Sequence, residues 1–109
     1  MLKRIYRLPL RRPLLSPKVI HHQSIVLKIL PNTFPYSRFG FVIAKRIVGS
    51  AVLRNKARRL FHTCIAERLS QIKPGYDMLF VFTKNPFSDN APPLCDIIAT
   101  ILKKQGLLT

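Results

Sequence analysis

The sequence predicts an α/β chain of the α+β, two-layer kind: a small sheet of three to four strands packed on two to three helices, with a β-β-α-β-α core. Three observations predict it. Short runs at residues 25–30, 39–44 and 76–83 are rich in β-branched and aromatic residues and end at Pro, Asn or Lys. Two longer stretches, 50–69 and 93–104, repeat apolar residues at helical spacing. At 109 residues with 48% apolar content the chain can bury one core and is too short for two. Residues 1–109 are therefore expected to form one domain, with 1–23 as a basic N-terminal arm.

In that arm Pro9, Pro13 and Pro17 forbid a long helix, because an interior proline deletes a hydrogen bond and clashes with the preceding turn. Ser16 could cap a short helix at Pro17 and nothing longer. The first β run closes at Pro31-Asn32, and residues 33–37 read as a loop. The second run alternates Phe39, Phe41 and Ile43 with Gly40, Val42 and Ala44, giving one bulky face and one that admits a close approach. Ser50 opens the strongest helix, and Pro74-Gly75 marks the turn after it. The third run, 76–83, is apolar almost throughout and is expected at the centre of the sheet. A loop over 85–93 leads to the last helix. There Leu94, Ile97, Ile98, Ile101 and Leu102 form a core stripe, Lys103 and Lys104 suit the C-terminal dipole, and Gly106 suits the cap.

Charge is the abnormal property. Nineteen Lys and Arg against four Asp and Glu give +15 and a pI near 11.0. Such self-repulsion is tolerated chiefly in chains that meet a polyanion. The distribution is uneven: no acid precedes Glu67, and all four (Glu67, Asp77, Asp89, Asp96) fall in the last 43 residues. The phosphate-facing surface is thus expected in the first two thirds, with the remainder as scaffold. No apolar run approaches the length of a membrane span. The prolines of the arm argue against an amphipathic transit peptide. Cys64 and Cys95, far apart in helical segments, are expected to be buried reduced thiols, which fits a cytoplasmic setting.

Placed at about 100° per residue, Leu53, Ala57, Leu60, Phe61 and Cys64 share an arc that reads as core. Arg54, Asn55, Arg58, Arg59 and His62 share a largely opposite arc of about 140°, with Lys56 on its flank and Ile65 at its edge. A merely solvated face normally mixes signs, since like charges at i,i+4 destabilise a helix. Arg54 and Arg58 stand at that spacing with no acid nearby in sequence. Arginine's planar fork also suits phosphate better than lysine's point charge. The expected partner is nucleic acid.

The stretch RFGFVIAKR (38–46) followed by AVLRNKARR (51–59) resembles the ribonuclease P protein family. The family pattern is a strand ending in paired basic residues, a short turn, then Ala-Val-x-Arg-Asn-Arg-x-Lys-Arg on a helix. Ala51, Val52, Arg54, Asn55 and Arg59 match outright; Lys56 stands where Arg is usual and Arg58 where Lys is usual. The later KPGYD (73–77) and LKKQGLL (102–108) are similar to some branches of the family. The resemblance implies a left-handed crossover, as in the second domain of ribosomal protein S5. It implies a protein that assists a catalytic RNA in removing the 5′ leader of precursor tRNA, with one protein per RNA. By that resemblance Arg54, Asn55, Lys56, Arg58 and Arg59 would contact the RNA subunit, and His62 joins them by its place on the same helix arc. Lys45 and Arg46 would lie near the leader, held in a cleft over the sheet, and Lys84 takes the place of a frequent basic residue at the end of the third strand. Phe39 and Phe41 could supply stacking on leader bases from their strand, although residues of this type are more often simply core. Mg²⁺ would be bound mainly by the RNA. One departure is plain: the family usually begins with an aromatic-bearing helix, whereas Tyr6 is the only aromatic of this arm.

No catalytic constellation is evident in the chain itself. Four dispersed acids do not form a two-metal phosphodiester site. The adjacent His21 and His22 suit a loop or a phosphate contact, and His62 and Cys64 do not face each other on a helix. Neither a membrane nor a small-molecule substrate is expected. A ribosomal protein, or another binder of structured RNA with no catalytic partner, would share this composition. A reader of duplex DNA would want a helix-turn-helix or zinc ligands, and the sequence offers neither.

Overall fold

A computed structural model describes residues 2–9, 15–22, 24–87 and 93–108. Its elements are β1 (Lys18–His22), β2 (Ile25–Pro31), β3 (Arg38–Ile43), α1 (Ala51–Arg68), β4 (Tyr76–Phe82) and α2 (Leu94–Lys104), with 3₁₀ turns at Arg4–Tyr6 and Leu69–Gln71. The strands form one four-stranded sheet in the order β1-β2-β4-β3. β1 with β2 and β2 with β4 pair antiparallel, while β3 and β4 run parallel with α1 as their connection. β4 is central, as its apolar sequence requires, because an inner strand of this kind has no edge to solvate.

The period-2 alternation sets the layers. Ile25, Leu27 and Ile29 of β2, Phe39 and Phe41 of β3, and Met78, Phe80 and Phe82 of β4 are all buried and form one core with residues of both helices. Phe41 pairs with Phe80 across β3 and β4. Phe61 of α1 rests on both, its ring 5.3 Å from Phe41 and 5.1 Å from Phe80. The last turn of α2 supplies Ile101 and Leu102, both buried.

Local signals in the sequence are used as the chemistry demands. Ser50 is the N-cap of α1, its Oγ accepting from the Leu53 N–H at 3.2 Å. Gly75 and Gly106 adopt φ of 90° and 70°, the left-handed region that a side chain would resist. Beyond Gly106 the Leu107 N–H closes the helix end by donating to the Leu102 carbonyl at 2.9 Å. At the start of β3, Arg38 forks onto Asp77 of β4 with bonds of 2.9 and 2.7 Å, and Asn32 donates to the same carboxylate at 2.8 Å. Burial pushes the Asp77 carboxyl up, but the bonds from Arg38 and Asn32 and the guanidinium charge outweigh it, and its pKa lies below the ordinary value.

Three expectations are corrected. Lys18–His22 is a strand, not irregular arm: β1 pairs its full length with β2 from Lys18↔Ile29 to His22↔Ile25, and Ser16 caps no helix but sits at φ 50°. Cys64 and Cys95 are joined as a disulfide between α1 and α2, with 5.3 Å between their Cα atoms. Both helices lie on one face of the sheet, which brings together cysteines that sequence separation kept apart. The buried stripe of α1 is Ala57, Phe61, Cys64 and Ile65, while Leu53 and Leu60 are 37% and 40% exposed. The helix is turned by roughly 40° from the expected stripe, because Phe61 and Ile65 face the Phe-rich sheet. The first residues of the arm, 2–9, are anchored: Leu2 and Leu8 are buried, Arg7 bridges to Phe39, and the Leu8 N–H donates to the Phe39 carbonyl at 2.8 Å.

Candidate nucleic-acid interface

With the buried arc of α1 fixed, its basic residues fall into place. Asn55, Lys56, Arg58 and Arg59 are exposed. Arg58 donates to the Asn55 side-chain oxygen at 2.7 Å, a contact that holds the guanidinium over the helix surface and leaves its other N–H groups for a ligand. Lys56 points to the opposite flank, its Nζ 5.5 Å from the Phe87 ring centroid. Among the described residues none of these cations has a carboxylate partner: the ion pairs are Arg38 with Asp77 and Arg68 with Glu67. An unneutralised row of this kind lowers the potential energy of any phosphate chain laid along it.

Arg54 behaves differently. It is half-buried, and one guanidinium nitrogen donates to the Val48 and Gly49 carbonyls at 2.8 and 2.9 Å. Folded back on the β3–α1 connection, it ties that loop to the first turn of the helix. His62 is half-buried too. Burial lowers its pKa, and the nearby charges of Arg7 and Arg58 lower it further. The anchored arm runs beside the end of α1, where Leu2, Lys3 and Tyr6 line one pocket with Ala66 and Leu69, a proximity that sequence spacing did not suggest. The parallel bridge of Arg7 to Phe39 puts that arginine at the outer edge of β3.

Lys45, Arg46 and Lys84 form a second group. Lys45 and Arg46 lie in the turn after β3, Lys84 just past β4, and all three are exposed. The last register pair of these parallel strands is Ile43↔Phe82, so Lys45 and Lys84 leave neighbouring strands at the same end of the sheet. α1 begins at that end. Helix and strand-end cations, separated by up to 39 residues in the chain, therefore share one pole of the molecule.

Phe39 and Phe41 do not join them. They are 1% and 6% exposed and face the helices, so they are core and offer no stacking surface. The bulky face of β3 is the inward one because α1 needs a partner for Phe61. His21 and His22 sit side by side on β1, a strand and not a loop, and successive strand residues point to opposite faces, so they do not converge on one ion. Among the described residues no three His, Cys, Asp or Glu side chains cluster. Mg²⁺ prefers an octahedron of oxygen ligands, and Asp77 is already committed to Arg38 and Asn32. The described residues do not fit a Mg²⁺ cage.

Fold and surface together define a class: a small basic α+β domain that buries one side of its long helix and turns a row of unpaired cations outward at one end of a mixed sheet. The ribonuclease P family profile matches residues 12–105, and the chain belongs to that family. The ribonuclease P protein component of Roseiflexus castenholzii is 34% identical over 77% of this chain and 69% of its own. That of Caldanaerobacter subterraneus is 31% identical over 83% and 77%. In three dimensions the RNase P protein from Thermotoga maritima superposes with a TM-score of 0.78 at 25% identity, covering 90% of this chain and 96% of that one. The Staphylococcus aureus protein, at 21% identity and a TM-score of 0.72, shares the fold over 86% and 85%. No helix among the described residues is long and apolar enough to cross a membrane.

Proposed function

We propose that this chain is the RNA-binding subunit of a ribonuclease P ribonucleoprotein, which helps a catalytic RNA remove the 5′ leader of precursor tRNA. The observation that carries the reading is the exposed, acid-free row of Asn55, Lys56, Arg58 and Arg59 on a helix of the family's sequence. That row meets the RNA subunit, one protein per RNA. Arg54 acts on the RNA indirectly, by locking the connection that carries Lys45 and Arg46. Those two, with Lys84, face the leader next to the cleavage site and neutralise its phosphates. His62 sits at the margin of the helix contact and gains a proton as phosphate approaches.

The chemistry belongs to the RNA in this reading, and Mg²⁺ with it. The described carboxylates, Glu67, Asp77 and Asp96, stand apart and furnish no metal cage, and the contribution assigned to the protein is electrostatic and positional. The cytoplasm is the setting this reading implies, on the ground of the bacterial relatives and not of the cysteines, which are paired. Reconstitution tests the proposal: a bacterial-type catalytic RNA and precursor tRNA are mixed at low Mg²⁺ with and without the protein. Faster leader removal is the expected result, and no stimulation refutes the proposal. Stable co-sedimentation with ribosomal subunits would instead favour a ribosomal protein.

A further inference from the structure

At the opposite pole lies a cavity of about 560 Å³, walled by Tyr6 of the arm, Tyr36 and Ser37 of the β2–β3 loop, and Leu69, Ser70 and Ile72 after α1. Along α1 its nearest wall, Ala66, is about 18 Å from Arg54, twelve residues at the helical rise. Along β3 the cavity is about 20 Å from Lys45. It is separate from both cation groups described above. We propose that this cavity accepts an unpaired base of RNA, as a second contact point that rests on the reading of the chain as RNA-binding.

Three observations converge. The first is an aromatic row shared by the arm and that loop: Tyr6 meets Tyr36 edge-on at 5.6 Å, Tyr36 stacks on Phe34 at 5.3 Å, and the Arg38 guanidinium lies 4.7 Å from the Phe34 centroid. Five of the seven phenylalanines are buried in the core, yet Phe34 is 40% exposed. Phe34 thus presents an aromatic face to water beside two half-buried tyrosines, a surface that something flat would cover. The second is rigidity. Arg38 is held by Asp77, and Ser37 donates to the Lys73 carbonyl at 2.7 Å while accepting from the Tyr76 N–H at 3.1 Å. A preformed site loses less entropy on binding. The third is charge. Lys3 and Arg4 on the arm and Lys73 beside Ile72 are exposed around the cavity, and its lining holds no carboxylate. The volume falls within the roughly 300–1,000 Å³ of ordinary ligand pockets, ample for a nucleoside. A flat base flanked by phosphates matches tyrosine walls inside a basic rim; an acidic peptide would satisfy only the rim.

The test uses the full chain and two labelled probes, hexauridylate and an abasic ribose-phosphate hexamer of equal charge, with binding read by fluorescence anisotropy. Wild type should bind the base-bearing probe at least about fivefold tighter, as one stacked base provides. Tyr36→Leu, and independently Ser70→Phe, which fills the cavity from an exposed position, should erase that preference and leave abasic binding intact. Arg58→Ala with Arg59→Ala should weaken both probes and keep the preference. A preference that survives Tyr36→Leu and Ser70→Phe, or no preference in wild type, overturns the proposal. Binding of the catalytic RNA is measured alongside: if it persists while the base preference is absent, only this cavity is refuted, and if it too is absent, the RNA-binding reading falls.

Discussion

Arg54 and Arg58 stand one turn apart on α1, and both match cationic positions of the family motif. Arg54 spends hydrogen bonds on Val48 and Gly49, whereas Arg58 touches only Asn55. Replacing Arg58 and Arg59 with alanine should flatten the salt dependence of RNA binding by about 1.4–1.8 in log–log slope, two contacts at 0.7–0.9 each. Titration of affinity against KCl measures it. Arg54→Ala should change that slope less and cost about 1–2 kcal/mol of stability in lost bonds to a charged donor, read by urea unfolding. His62 supplies a pH signature. Its folded pKa is depressed below 6.5, so its contribution to stability is complete above 6.5 and is lost as pH falls through the lowered value. A phosphate beside it reverses that penalty. RNA affinity should therefore rise as pH drops from 7.5 to 5.5, and His62→Asn should reduce the rise. Asp77 has the same sign at lower pH: its folded pKa is depressed, so its stabilisation is present above 3.8 and fades as pH falls through the folded value. Asp77→Ala strands Arg38 and should cost about 3 kcal/mol at neutral pH.

Among the elements, α1 shows what spacing can and cannot fix. Its start was legible to the residue, because a serine N-cap satisfies an orphan N–H whatever surrounds it. Ser50→Ala should cost about 1 kcal/mol, a fall in melting temperature of roughly 4–8 °C for a domain of this size. Its rotation was not legible. Leu53, Leu60 and Ile65 are equally apolar, and which of them is buried depends on where Phe41 and Phe80 present their rings. β1 is not legible in the sequence for a related reason. KVIHH carries two apolar residues among three basic or polar ones, and only the edge of β2 makes a strand of it. Phe39 and Phe41 had two readings from sequence, stacking surface or core, and the demand of α1 for an aromatic partner chose core.

For the whole molecule, the Cys64–Cys95 link encloses a separation of 31 residues and ties the two helices over the sheet. Its reduction should lower stability by about 2–4 kcal/mol, following the loop-closure argument, and urea titrations with and without dithiothreitol would show it. Composition, the acid-free first two thirds, the nearly unbroken apolar run of 76–83 and the Arg-Asn helix were enough to establish a basic α+β domain, its central strand and an exposed cationic helix face. These are properties of charge and local periodicity, which a chain carries with it unfolded. Tertiary structure alone decided that Lys45, Lys84 and α1 share one pole, that Arg54 serves the loop, that two distant cysteines meet, and that Tyr6, Tyr36 and Phe34 gather at the other pole. Each of those depends on which strands pair and how far a helix is turned, and both are set by burial of the whole core rather than by any neighbour in sequence.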